Sequence, residues 1–287
     1  MYALSHCFTQ TITMTTTQIF SSQQVADYER DGYLIVKGFF SPEEARRMYE
    51  VAIADEQIEQ HSYDLNDQSG KRTKLALWYE PGDDIYGLAV RSQKMVSAVE
   101  QLLAGTPAHY HTKLMQKEPK VGGAWEWHQD YGYWYKAGFL YPHMLSVMVA
   151  LTEATIANGC LQVLKGSHKL GRVEHGFRGD QVGIEQELID AAMDHGLELV
   201  QVEIEPGDTL FFHCNTMHTS QANTSDNPRW SIISAYNRVD NKPYKDAPDV
   251  CTRPIDIVPD ELLLRAEPAG LSGDRGFLAK ETDSTLK

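Results

Sequence analysis

Trp125-Glu126-Trp127-His128-Gln129-Asp130-Tyr131 is a short, aromatic-rich run in which a histidine and an aspartate stand two positions apart. Taken as a strand, its alternation points residues 128 and 130 to the same face. The run has companions on both sides. Residues 110–117, 145–151, 160–164, 197–203, 209–213 and 229–237 have the same β-like texture, separated by Gly, Pro and Asn. Strands at this density, interrupted by one helix at 184–195, predict a sandwich or barrel rather than alternating βαβ units.

Upstream the texture is helical. Ser22 caps a predicted helix to about Glu29, Gly32 ends it, and 33–39 follows as a strand. Ser41-Pro42-Glu43-Glu44 opens a second helix with a cap, a first-turn proline and early carboxylates, running to about Ile58. A third helix spans 84–103 and ends at Gly105. The expected organisation is a disordered, Thr-rich tail over 1–16, then one domain over 17–287 with a helical front and one or two strands in it.

The bulk composition narrows the function classes. A net charge of −14 argues against a nucleic-acid partner, which would need excess Lys and Arg. The longest apolar run, 144–151, is broken by Ser146 and too short to span a membrane. Cys7, Cys160, Cys214 and Cys251 are scattered without C-x-x-C spacing, which predicts free thiols in a reducing cytoplasm. No basic region followed by an apolar stretch marks a secretory leader. The expected partner is a small molecule, and the expected state is a cytoplasmic monomer or homodimer.

His128 and Asp130 gain a third candidate ligand in His218, at the end of a strand-like run. Two imidazoles and one carboxylate on one side of a metal leave three positions open, the arrangement suited to Fe(II) that must bind a chelating cosubstrate and O₂ together. Alone, His-x-Asp is weak: 11 histidines and 40 acidic residues give roughly 1.5 His-x-acid pairs by chance, and one occurs. Its context strengthens it. Arg229, eleven residues after His218, could hold a carboxylate by a two-pronged, charge-assisted contact, and Ser220 could add a hydroxyl.

Several motifs fall in a recognisable order. They are Asp31-Gly32-Tyr33-Leu34-Ile35-Val36, the helix start at 41–47, Trp127-His128-Gln129-Asp130, Asn158-Gly159-Cys160-Leu161-Gln162-Val163, Gly166-Ser167-His168, Pro206-Gly207-Asp208-Thr209-Leu210-Phe211-Phe212, His218-Thr219-Ser220 and Arg229. Together they resemble the phytanoyl-CoA dioxygenase family of Fe(II)/2-oxoglutarate-dependent oxygenases. The resemblance implies a mainly β fold with packed helices, a double-stranded β-helix of jelly-roll, cupin-like type. It implies His128, Asp130 and His218 as iron ligands, with Arg229 and Ser220 on the distal carboxylate of 2-oxoglutarate. Trp134, Lys113 and Lys74 are carried over as cosubstrate neighbours. Lys165 departs from the proline many relatives have before Gly-Ser-His, in a loop rather than at a ligand.

The reaction so implied uses Fe(II), 2-oxoglutarate and O₂ to hydroxylate an unactivated C–H of a small metabolite, releasing succinate and CO₂. Asp130 makes halogenation unlike this chain, because related halogenases leave that carboxylate position open. Tyr131 and Tyr133 from the aromatic stretch, and Arg178 from a Gly/Arg/His-rich loop at 169–183, are the candidate substrate contacts. Phytanoyl-CoA is not the expected substrate, since no basic patch for CoA is evident and this fold hosts many chemistries. Two other readings stand beside it: a non-catalytic β-helix binding protein with a relic metal site, and a cupin-type metalloenzyme that does not use 2-oxoglutarate.

Overall fold

A computed structural model describes residues 18–283. The 1–16 tail lies outside the described residues. Helix α1 (Ser22–Asp31) is capped by Ser21, not Ser22: the Ser21 hydroxyl accepts from the Gln24 amide while Gln24 reaches back to the cap backbone. Gly32 closes it at φ 82°, and strand β1 (Tyr33–Val36) follows. Helix α2 (Pro42–Ala54) has the expected Ser41 cap but stops before Ile58. Asp55 ends it by capping the next helix, α3 (Glu56–His61), through the amides of Gln57 and Ile58.

The hairpin β2 (Tyr63–Asn66) and β3 (Arg72–Trp78) then adds more strand to the front third than the sequence suggested. The 84–103 helix is two helices, α4 (Ile85–Arg91) and α5 (Gln93–Leu103), broken at Ser92, which leaves helical geometry and turns its hydroxyl onto the Ala89 carbonyl at 2.8 Å. Strand β4 (Pro107–Lys117) follows, and β5 (Trp125–His128) ends three residues sooner than expected. Asp130 lies in helix α6 (Asp130–Lys136), not in the strand. The ladder stops at Gln129 because its amide donates to His175 Nε2 at 2.9 Å and its side-chain nitrogen to the carbonyls of Gly171 and Asn215.

The remaining elements are β6 (Met144–Ala150), β7 (Leu161–Leu164), β8 (Gly176–Arg178), β9 (Gln181–Gly183), α7 (Gln186–Asp194), β10 (Leu199–Val202), β11 (Thr209–His213), β12 (His218–Ser220), β13 (Arg229–Arg238) and α8 (Leu262–Arg265). A seven-stranded sheet runs β1-β11-β6-β13-β4-β3-β2, and a four-stranded sheet runs β10-β7-β12-β5. Strands β8 and β9 form a separate hairpin. All named pairings are antiparallel.

Period-two alternation sorts the large sheet into two faces. Ala76, Trp78, Leu114, Val147, Val149, Phe211 and Ile232 pack against helix residues such as Tyr28, Met48, Met95 and Val99. Leu75, Leu77, Met115, Met148, Leu210, Phe212 and Ile233 face inward onto Trp125, Leu161, Val163 and Val202 of the small sheet. The result is helices on one sheet and that sheet on another, the jelly-roll layering expected. Among the described residues, no helix is long and apolar enough to cross a membrane. Cys160, Cys214 and Cys251 are buried free thiols, and Cys7 lies outside the described residues.

Candidate active site

His128 and His218 are register partners on β5 and β12, so their rings meet across one ladder rung, centroids 4.0 Å apart and planes tilted by 52°. Each ring is oriented from behind. Nδ1 of His128 donates to the Glu126 carbonyl at 2.8 Å, and Nδ1 of His218 to the Thr216 carbonyl at 2.9 Å. That tautomer leaves both Nε2 lone pairs directed at one point. Asp130, from the first turn of α6, supplies the third donor: its Oδ1 lies 3.7 Å from His128 Nε2 and 3.9 Å from His218 Nε2. All three donor atoms lie within 4.8 Å of one another, and all three residues are buried.

First-row metal bonds of about 2.0–2.2 Å place neighbouring donors about 3 Å apart, so the triad closes on an ion with side-chain shifts of about an ångström. The donor set fits iron. Burial opposes ionisation of Asp130, but Lys113 and the two histidines hold its carboxyl well below the usual range. Lys113 Nζ lies 3.9 Å from Oδ1. Ser146, the residue that interrupts the apolar run of β6, donates its hydroxyl to the other carboxylate oxygen, Oδ2. Burial, reinforced by His128, lowers His218 to about 3, so the ring is neutral and available as a ligand at physiological pH.

Arg229 and Ser220 are also buried, at 3% and 2% exposure. Arg229 shares the inward face of β13 with Ser231 and Ile233. Its guanidinium has no hydrogen bond or ion pair among the described residues, its Nε is sealed from solvent without a partner, and burial lowers it to about 10. A buried, unpaired guanidinium is costly unless an anion arrives. Such a guanidinium is suited to hold a carboxylate.

In front of the triad opens a cavity walled by Tyr63, Tyr79, Tyr110, Trp125, Tyr133 and Trp134, among others. Leu278 and Asp283 close it from the C-terminal segment, which bonds to β3 through the Leu278 amide and the Leu77 carbonyl. Tyr110 has no register partner on β13; this bulge turns both Tyr110 and His111 toward the cavity.

The proposed contacts from sequence divide clearly. Tyr133 is on the wall, edge-on to His128, with its hydroxyl donating to the Val182 carbonyl at 2.7 Å. Trp134 is on the wall, edge-to-face with Tyr110 and His111. Lys113 is on the wall, its ammonium 5.8 Å from the Trp125 ring centre. Lys74 is not: alternation along β3 places it with Ala76 and Trp78, on the face opposite Leu75 and Leu77. Tyr131 is not either: it is a buried residue of α6, with its hydroxyl donating to the Phe139 carbonyl at 3.0 Å. Arg178 is spent on an ion pair with Glu185 and a bond to the Phe177 carbonyl, away from the cavity. The tyrosines at 63, 79 and 110 and the C-terminal wall were missed, because nothing local marks them. Lys117 was missed despite a signal: on β4, His111, Lys113 and Lys117 share an inward face that should be apolar.

The sequence pattern of phytanoyl-CoA dioxygenase (PhyH) matches residues 28–231. The chain belongs to the phytanoyl-CoA dioxygenase family. Ectoine dioxygenase of Sphingopyxis alaskensis is 28% identical over 278 residues, covering 91% of this chain and 88% of the relative. L-proline trans-4-hydroxylase of Streptomyces griseoviridis is 26% identical over 231 residues, covering 75% and 86%. Among solved structures, EctD from S. alaskensis with bound Fe superposes with a TM-score of 0.68 at 22% identity, over 84% of this chain and 89% of that one. The epimerase SnoN in complex with Fe³⁺, alpha ketoglutarate and nogalamycin RO gives 0.62 at 22% identity, over 89% and 97%. The jelly-roll fold is shared with these PhyH-type neighbours. As a PhyH-family protein the chain is an enzyme of the iron- and 2-oxoglutarate-dependent dioxygenase class.

Proposed function

We propose that this PhyH-family enzyme hydroxylates a small metabolite, with Fe(II) held by His128, Asp130 and His218 and the distal carboxylate of 2-oxoglutarate held by Arg229 and Ser220. The observation that carries it is the pairing of a converged His/Asp/His triad with a buried guanidinium that lacks an anion. A relic site would not need the second feature. A cupin-type enzyme without 2-oxoglutarate would not benefit from it.

Iron and 2-oxoglutarate together supply the oxygen activation and C–H oxidation, with succinate and CO₂ released. The chain supplies position and dryness. Glu126 and Thr216 carbonyls fix the two imidazoles, and Ser146 fixes the carboxylate, so the donor set is preorganised. Tyr133 and Trp134 wall the approach beside the triad and exclude bulk water. The ring-lined cavity suits a compact substrate, and relatives named for ectoine and L-proline rather than for a CoA thioester favour the same reading. Lys113, on the wall near Asp130, faces the space that cosubstrate or substrate would occupy.

Arg229→Ala tests the assignment. Its expected effect is a rise of tenfold or more in the 2-oxoglutarate concentration needed for half-maximal succinate release, with iron binding retained. Unchanged dependence on 2-oxoglutarate in that variant would overturn the assignment and favour the cupin-type reading.

A further inference from the structure

Beside Arg229 lies a second buried cation. Lys117 is the register partner of Arg229 on β4, on the same inward face, and is 0% exposed. Its Nζ donates to the Ser220 hydroxyl oxygen at 2.8 Å, to the Ser220 carbonyl at 3.3 Å and to the Gln221 carbonyl. Neither cation forms an ion pair among the described residues. The acidic groups that act on Lys117 are the Cys160 thiol and Asp67. The Asp67 carboxylate is committed to the amides of Ser69, Lys71 and Ala124 and to the Ser69 hydroxyl.

Two cations buried side by side with no carboxylate bonded to either make a site with a charge deficit. Lys117, paired in register with Arg229, links that cation to Ser220. Because Lys117 donates to the hydroxyl oxygen, the Ser220 proton is left to donate elsewhere, and it has no acceptor among the described residues. Space for a larger side chain is absent: a Cβ on Gly159, at φ +77°, would stand 3.2 Å from Lys117 Nζ and 2.2 Å from the Gln221 carbonyl oxygen.

Building on the 2-oxoglutarate reading above, we propose that Lys117 is a positioning residue for the distal carboxylate, setting the Ser220 hydroxyl as a donor and adding positive charge behind it and Arg229. Burial and the Arg229 charge push Lys117 well below the ordinary lysine range, and an arriving carboxylate offsets both effects. One arriving carboxylate gives both cations a shared counter-charge.

The test compares two keto acids on the Fe(II)-loaded protein under anaerobic conditions, by calorimetric titration. 2-Oxoglutarate carries the distal carboxylate and 2-oxobutyrate does not, while both present the same chelating end. Lys117→Met is expected to weaken 2-oxoglutarate about tenfold or more and to leave 2-oxobutyrate unchanged. Should Lys117→Met fail to fold, Lys117→Gln, which retains a donor but no charge, is expected to show the same selective loss. Equal weakening of both acids would reduce Lys117 to a structural role and overturn the proposal. No weakening of 2-oxoglutarate would overturn it as well. Failure of the wild-type protein to bind 2-oxoglutarate is a distinct result, since it removes the oxygenase reading itself.

Discussion

At the scale of single residues, the candidate site depends on the groups that orient His128, Asp130 and His218 as much as on those three side chains. Ser146 shows this most directly, since its hydroxyl is the hydrogen bond on the outer oxygen of a buried carboxylate. Ser146→Ala is expected to lower Fe(II) affinity about tenfold, in the range typical for such supporting contacts, measured by competition with a chelator. The sequence showed Ser146 only as a break in an apolar run. His128 and Asp130 were legible as a pair, but by a different route from the one that joins them: they meet because β5 stops at Gln129 and α6 turns Asp130 back toward the strand end. Side-chain bonds from Gln129 and His175 make that turn, and no local pattern announces them. Arg229 and Ser220, singled out by their spacing to His218, are both buried, and Arg229 Nε has no partner among the described residues. Lys74 was misplaced by one step of strand alternation, and Tyr131 by reading an aromatic stretch as one surface.

At the scale of elements, the runs after Ala108 were readable because alternation and Gly/Pro punctuation agree. The breaks at Asp55 and Ser92 were not, because a side chain rather than a glycine or proline ends each helix. The short β2 escaped notice because four residues carry little periodicity. Asp55 also accepts from the Leu271 amide at 2.8 Å and the Tyr86 hydroxyl at 3.3 Å, tying the C-terminal segment to α3 and α4. Asp55→Ala therefore removes a cap and strands two buried donors. The expected loss is about 2–4 kcal/mol of stability by chemical denaturation, the sum of a cap and unsatisfied polar groups.

At the scale of the whole molecule, the buried histidines couple stability to pH. Burial lowers His109, His111 and His218 to about 3, and His175 and His213 to about 4. Each binds fewer protons folded than unfolded, where its value is about 6.5, so stability is lost as pH falls through 6.5 toward the folded value. At pH 5 the loss is of order 1–2 kcal/mol per histidine. The metal-free protein is expected to lose thermal stability steadily between pH 7 and pH 5; a flat melting temperature over that window would contradict the burial of these rings. Bound metal adds to stability at neutral pH by mass action and is itself displaced by acid, since its ligands must be unprotonated.

The measurement that bears most directly on the account is an anaerobic titration of Fe(II) into the protein with 2-oxoglutarate present, followed by visible absorption. The expected result is a weak charge-transfer band that saturates at one iron per chain and is absent in His128→Ala, Asp130→Ala and His218→Ala. Absence of the band in the wild-type protein, or its persistence when all three side chains are removed in turn, would contradict the assignment of this triad as the iron site.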